Sequence, residues 1–395
     1  MIAAPSARSD RLPSVDFDRA PFLVIWETTR ACDLACKHCR ASAESMPDPR
    51  ELTVEQGRKV VRDTAEMGTP ILVLSGGDPA KREDLLDLIR YGKSLGLRMA
   101  TIPAATPRLT RNLVRSLKQA GLDQMAVSID FPRADLHDGF RGVPGTFARS
   151  VEAAGWAREE GLPLQVNTTV WRESAPHLEE MAELVERLGA VFWEVFFLVP
   201  IGRGTAIDGL NAVVCEALFS LLHGVQKSKP FVVKVTEAPH YRRFVAQVER
   251  ARAREEGRAP EKGLLHPMLR RSEGPGGTLG LAPRGVNSGN GFLFVAHTGE
   301  IFPSGFLPLS AGNVKNRSLA DAYRNDPIFR ELRNPELLTG RCGRCEYRSI
   351  CAGSRSRAYA MTGDWLEDDP WCGYEPRGAR TSERLSVGES ESRSV

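Results

Sequence analysis

The chain has 395 residues, 42% of them apolar, and a formal net charge of +3. That length suits a large domain with a smaller module beside it, and so small a charge gives no bulk attraction for nucleic acid or an acidic membrane. No apolar run approaches the ~18 residues of a membrane span, and the opening MIAAPSARSDRLPS lacks the apolar stretch of a secretory signal. The expectation is a cytoplasmic protein with no nucleic-acid or membrane partner. In that compartment eight cysteines speak for metal or redox chemistry more than for disulfides. Seven fall into two tight groups, and Cys215, in VVCEALF, reads as a core thiol.

Residues 1–18 are polar and read as disordered. From Pro21 short apolar runs alternate with longer amphipathic ones, the pattern of βα units on a parallel sheet. Strands are predicted at 22–28, 70–75, 97–102, 124–130, 164–170 and 191–199. Helices are predicted near 53–67, 83–94, 110–120, 146–160 and 175–188. Thr53 with Gln56 makes a capping box, Gly68 closes that helix, and Thr110 caps the third. Six such units over 19–206 predict an α/β fold, a partial (β/α)6 barrel, since eight units take about 250 residues. Sites in such barrels sit at the C-terminal ends of the strands.

The first strand, PFLVIW, runs into Cys32-Asp-Leu-Ala-Cys36-Lys-His-Cys39. Three thiolates so close can hold three irons of a cubane [4Fe–4S] cluster, leaving the fourth iron open to a small molecule. Zinc, with His38 as fourth ligand, is the alternative. The later strands end in Ser75-Gly76-Gly77-Asp78, in Ser128-Ile-Asp130, in Asn167-Thr-Thr-Val170 and in Leu198-Val-Pro-Ile-Gly-Arg-Gly204. Two glycines let the backbone approach a ligand closely, although each of these stretches also suits an ordinary turn. Arg141, in FRGVPGTF, is placed to meet a carboxylate or solvent.

Residues 207–286 read as a helical connector, broken at Pro230, and a mobile linker rich in Gly and Pro. Within it Val235–Arg243 either presents His240, Tyr241 or Arg242 to a substrate or is a plain turn. A module over 287–376 opens with a hairpin, Phe292–Phe302, turning near Thr298-Gly299, and continues with a helix from Ser318. Then come Cys342, Cys345, Cys351 and Cys372, a complete four-thiolate shell that zinc and iron–sulfur would both accept. Arg341, Arg344 and Arg348 stand around it. The tail, 377–395, reads as disordered.

Over about residues 20–375 the chain resembles the radical S-adenosylmethionine enzymes, with a truncated SPASM-type extension similar to the haem and haem d1 biosynthesis branch. The resemblance implies that Cys32, Cys36 and Cys39 carry the catalytic cluster, which cleaves S-adenosylmethionine to a 5′-deoxyadenosyl radical that takes hydrogen from a substrate. Gly76, Gly77 and Asp78, with Asp where the family has Glu, would then meet the methionine moiety. Ser128 and Asp130 would lie beside the ribose, Arg141 and Asn167 nearby, and Leu198 at the adenine. Cys342, Cys345, Cys351 and Cys372 would hold a second [4Fe–4S] cluster. Ser304, Ser354 and Gly291 stand where an inner auxiliary cluster would need cysteine, so two clusters are expected in all. Reduced ferredoxin or flavodoxin would donate electrons. The substrate would be a tetrapyrrole propionate. A ribosomally made peptide, a tungsten or molybdenum cofactor, and a non-catalytic electron carrier are the alternatives.

Overall fold

The computed structural model describes residues 15–257 and 285–377. Residues 1–14 and 378–395 of the expected disordered ends and most of the linker lie outside the described residues, whereas Phe17, expected within the disordered N-terminus, is buried, its carbonyl accepting from the Tyr323 hydroxyl at 2.7 Å. Six parallel strands appear within the expected ranges: β1 Leu23–Glu27, β2 Ile71–Ser75, β3 Arg98–Thr101, β4 Gln124–Ser128, β5 Leu164–Val170 and β6 Phe192–Phe197. Each connects to the next through helix, as parallel neighbours require. These helices are α1 Val54–Glu66, α2 Leu85–Ser94, α3 Arg111–Gln119, α4 Ala134–Arg141, α5 Thr146–Glu159 and α6 Leu178–Arg187. The Thr53–Gln56 capping box closes in both directions, and the Thr110 hydroxyl accepts from the Leu113 N–H. Helix α4 was not foreseen, being one eight-residue helix closed by Gly142 at φ +72°.

The connector departs from its all-helical reading. Between α7, Ala212–Ser228, and α8, His240–Glu255, lies β7, Val232–Thr236, parallel to β6. Its FVVKVT run is β-branched, but a five-residue strand after a proline reads easily as a helix break. The hairpin strands β8, Phe292–Val295, and β9, Ile301–Phe302, join the same sheet, with β8 parallel to β1 and β9 antiparallel to β8. One nine-stranded sheet therefore runs β7-β6-β5-β4-β3-β2-β1-β8-β9. It crosses the expected boundaries at 206 and 287.

Side chains alternate across each strand. Val24, Trp26, Leu72, Leu74, Val127, Val166, Trp193 and Val233 pack under the helices in one apolar core. Their neighbours Ile25, Val73, Ser128, Gln165, Asn167, Glu194 and Lys234 line the inside of the half-barrel. Cys215 is buried and free in the core face of α7. Among the described residues no helix is long and apolar enough to cross a membrane.

Candidate functional site

The loop after β1 is tied down strand by strand. Thr28 donates to the Ser75 carbonyl at 2.8 Å, Gly77 to Thr29 and Asp78 to Ala31 at 2.7 Å, and Cys32 to Glu44 at 2.7 Å. A Cβ on Gly77 would sit 2.4 Å from the Ala31 oxygen, and one on Gly76 2.6 Å from that of Thr29. Only glycine lets the two loops touch. Gly202, at φ +54°, does the same against the carbonyls of Cys39 and Arg40, while Arg203 donates from Nε to the Cys36 carbonyl.

Cys32, Cys36 and Cys39 border one end of the inner cavity. The Leu34 N–H donates to the Cys32 sulfur and the Ala43 N–H to that of Cys39, both at 3.4 Å, and Arg141 Nη1 lies 3.6 Å from Cys36 Sγ. Such donors favour thiolates. Burial pushes the Cys32 thiol up to about 12 and raises Cys36 as well. His38 stacks on Phe140 at 4.6 Å. Among the described residues no three His, Cys, Asp or Glu side chains converge as ligands of one metal ion would. A cubane, whose irons are spread out, makes no such demand.

The cavity runs from the cysteine loop to Gly353–Arg355. Gly76, Gly77, Ser128, Arg141, Asn167 and Leu198 line it. Asp78 and Asp130 are not among its lining residues. Asp78 is wholly buried, its carboxylate accepting from the N–H groups of Ala80 and Ala104 and from the Thr106 hydroxyl. Asp130 is buried behind Arg141, pairing with Nη2 at 2.6 Å and accepting from the Thr169 N–H. Burial would raise its carboxyl, and Arg141 outweighs that. Both acids are spent on the scaffold.

Residues 26–185 match the family described as Radical SAM superfamily. The AdoMet-dependent heme synthase of Oleidesulfovibrio alaskensis is 38% identical over 92% of this chain and 89% of its own length. That of Methanosarcina barkeri is 39% identical over 90% and 97%. The chain belongs to the radical SAM superfamily. Streptococcus suis SuiB bound to S-adenosylmethionine, 14% identical, matches with a TM-score of 0.65 over 90% of this chain and 78% of its own, which shows the shared fold. As a radical SAM enzyme it uses a [4Fe–4S] cluster and S-adenosylmethionine.

A second, much smaller hollow is bordered by Cys342, Cys345, Cys351 and Cys372 together with Arg243, Arg341 and Arg348. Arg344 is not among its lining residues. The Tyr347 and Gly353 N–H groups donate to the sulfurs of Cys345 and Cys351 at 3.4 Å, and Arg355 Nη2 to Cys342 at 3.6 Å. Burial raises the thiols of Cys342, Cys345 and Cys351 and brings Cys372 to about 11. Gly353, at φ +61°, borders both this hollow and the cavity of the radical SAM site. A Cβ there would lie 3.3 Å from Cys342 Sγ. The two sites share a wall one residue thick.

Several functional groups were invisible in the sequence reading. Glu194 accepts from Gln165 at 2.8 Å and Thr236 at 2.6 Å and pairs with Lys234 at 2.7 Å, a polar belt across β5, β6 and β7. Its signal was a polar residue at alternate positions of apolar strands, which points to an open interior. Glu27, ending β1, pairs with Arg40 and with His297 Nδ1 at 2.6 Å. Burial would raise its carboxyl, but Arg40 and then His297 hold it at about 2. Of the 235–243 segment, Tyr241 and Arg242 line the cavity, whereas His240 is buried 3.5 Å from Asp369.

Proposed function

We propose that this radical SAM enzyme oxidatively decarboxylates propionate side chains of an iron tetrapyrrole to vinyl groups, a reaction that ends in haem. The observation that carries the reading is the cavity. It offers Phe192, Phe196, Phe292, Phe294 and Phe306 to a flat apolar ring. The heme-synthase names of the relatives at 38% and 39% identity agree with it.

Cys32, Cys36 and Cys39 would hold the cluster, which when bound would supply the reducing electron for S-adenosylmethionine cleavage. Each propionate side chain would become a vinyl group by giving one hydrogen atom to form 5′-deoxyadenosine and one electron to an acceptor, its carboxylate leaving as carbon dioxide. The fit of Cys342, Cys345, Cys351 and Cys372 around one hollow supports a second [4Fe–4S] cluster as that acceptor, one residue from the cavity. Arg141 and the Leu34 and Ala43 N–H groups hold the radical-site sulfurs as thiolates. The aromatic walls keep water from the reacting carbon. We assign the reducing electron to ferredoxin or flavodoxin in the cytoplasm, and residues 19–206, 207–286 and 287–376 to barrel, connector and SPASM-like module, with the connector adding β7 and the module β8 and β9 to the barrel's sheet.

The test is anaerobic production of 5′-deoxyadenosine by the reconstituted enzyme. Iron coproporphyrin III, which carries four propionates, should stimulate it and be converted. Stimulation by a peptide substrate and none by the porphyrin would replace this reading with peptide maturation.

A further inference from the structure

Arg242 stands on the cavity wall in the first turn of α8. Its guanidinium donates from Nη1 to Asn287 Oδ1 at 3.1 Å and to the Ile350 carbonyl at 3.2 Å, and from Nη2 to the Val286 carbonyl at 2.5 Å. All three acceptors are neutral. A guanidinium has five N–H donors, so two are uncommitted. Among the described residues no carboxylate pairs with it. Burial lowers its pKa to about 10, and only Cys351 pulls the other way.

Its neighbours are treated differently. Arg40 pairs with Glu27, Arg141 with Asp130, Arg243 with Glu216 and Arg357 with Asp369. Arg355 also lines the cavity without a carboxylate, but four of its bonds are made, one of them to the Cys342 sulfur. Burying a cation among neutral groups is costly unless an anion arrives to meet it. The cavity is the open side from which one can come. Tyr241, Val286, Ser288, Phe292 and Ser354 stand along the same lining.

We propose that Arg242 anchors a carboxylate of the substrate, one that is held and not converted. The proposal rests on the tetrapyrrole reading and deepens it. A macrocycle that keeps some propionates while losing others has to be oriented by those it keeps. A forked guanidinium suits a carboxylate in two-point contact.

The experiment is an absorbance titration of the cluster-loaded enzyme with iron coproporphyrin III and with its uncharged tetramethyl ester. The parent should prefer the acid. In Arg242→Met the acid should bind at least roughly 30-fold more weakly while affinity for the ester holds, and Arg242→Lys should fall between. Unchanged acid affinity in Arg242→Met overturns the proposal. A shifted midpoint potential of the C-terminal cluster in that protein would then assign the guanidinium to Cys351. If Arg242→Met does not retain iron, Arg242→Lys decides, since an acid-to-ester preference equal to the parent's also overturns it. A parent that binds neither porphyrin contradicts the tetrapyrrole reading itself and the anchor with it.

Discussion

Arg141 Nη1 lies 3.6 Å from the sulfur of Cys36 while its Nη2 pairs with Asp130 at 2.6 Å. The guanidinium thus carries positive charge to a cluster sulfur and is itself aimed by a buried acid. Hydrogen bonds and charge at the sulfurs set cluster potentials. In Arg141→Met the radical-site cluster should become harder to reduce, by roughly 60 mV for each tenfold loss in the reduction equilibrium. Arg141→Lys should recover part of that. A potentiometric titration followed by electron paramagnetic resonance reads it, and an unchanged potential in Arg141→Met would show the contact to be incidental.

Asp78 is a scaffold residue with three donors on its carboxylate. Removing it leaves two buried N–H groups and a hydroxyl unpaired, at about 2–3 kcal/mol for bonds to a charged group. Asp78→Ala should therefore lower the melting temperature and loosen the cysteine loop that it abuts. Asp78→Asn should lose less. If Asp78→Ala melts like the parent yet binds S-adenosylmethionine poorly, the carboxylate belongs to the cofactor after all.

The Glu27–His297 pair makes stability depend on pH in a stated direction. Burial alone would lower the His297 pKa, but the Glu27 hydrogen bond and charge outweigh it and raise it above 6.5, with Glu51 and Asp48 adding to the pull. A raised histidine stabilises fully below its unfolded value and loses that contribution as pH rises through the folded one. The stability gap between the parent and His297→Gln should thus be widest below about pH 6.5 and shrink with rising pH. Glu27, held at about 2, keeps its contribution down to strongly acid pH. Denaturant melts across pH measure both, and a gap that widens with pH would contradict the assignment.

Iron content tests the four-cysteine hollow. Fully reconstituted protein should hold about eight irons per chain, and about four after joint replacement of Cys32, Cys36 and Cys39. That variant should keep the absorbance of the C-terminal cluster and make no 5′-deoxyadenosine. Stoichiometric zinc in place of the remaining irons would make the hollow structural.

The barrel strands and both cysteine groups were legible because each is a local pattern: a short apolar run, a cap three residues from its partner, thiols at fixed spacing. Gly76 and Gly77 were legible as a close approach, though what approaches them within the chain is the backbone of Thr29 and Ala31. For Asp78 and Asp130 the sequence is silent on burial, because an acid at a strand end looks the same whether it faces ligand or scaffold. Only the position of Thr106 or Arg141 decides that. Strand β7 was hidden between two helices, and the pairing of β8 with β1 joins residues about 270 positions apart, beyond any local periodicity. The Glu194–Lys234 pair and the shared wall at Gly353 are likewise products of register and packing.

The central claim is that hydrogen leaves a propionate carbon and that decarboxylation follows. Iron coproporphyrin III deuterated on the propionate carbons next to the ring, incubated with the enzyme, S-adenosylmethionine and a low-potential reductant, tests it by mass spectrometry. The account predicts one deuterium in each 5′-deoxyadenosine formed, with a porphyrin product lighter by carbon dioxide and one hydrogen and one deuterium for each vinyl group. Unlabelled 5′-deoxyadenosine beside unchanged porphyrin would contradict it.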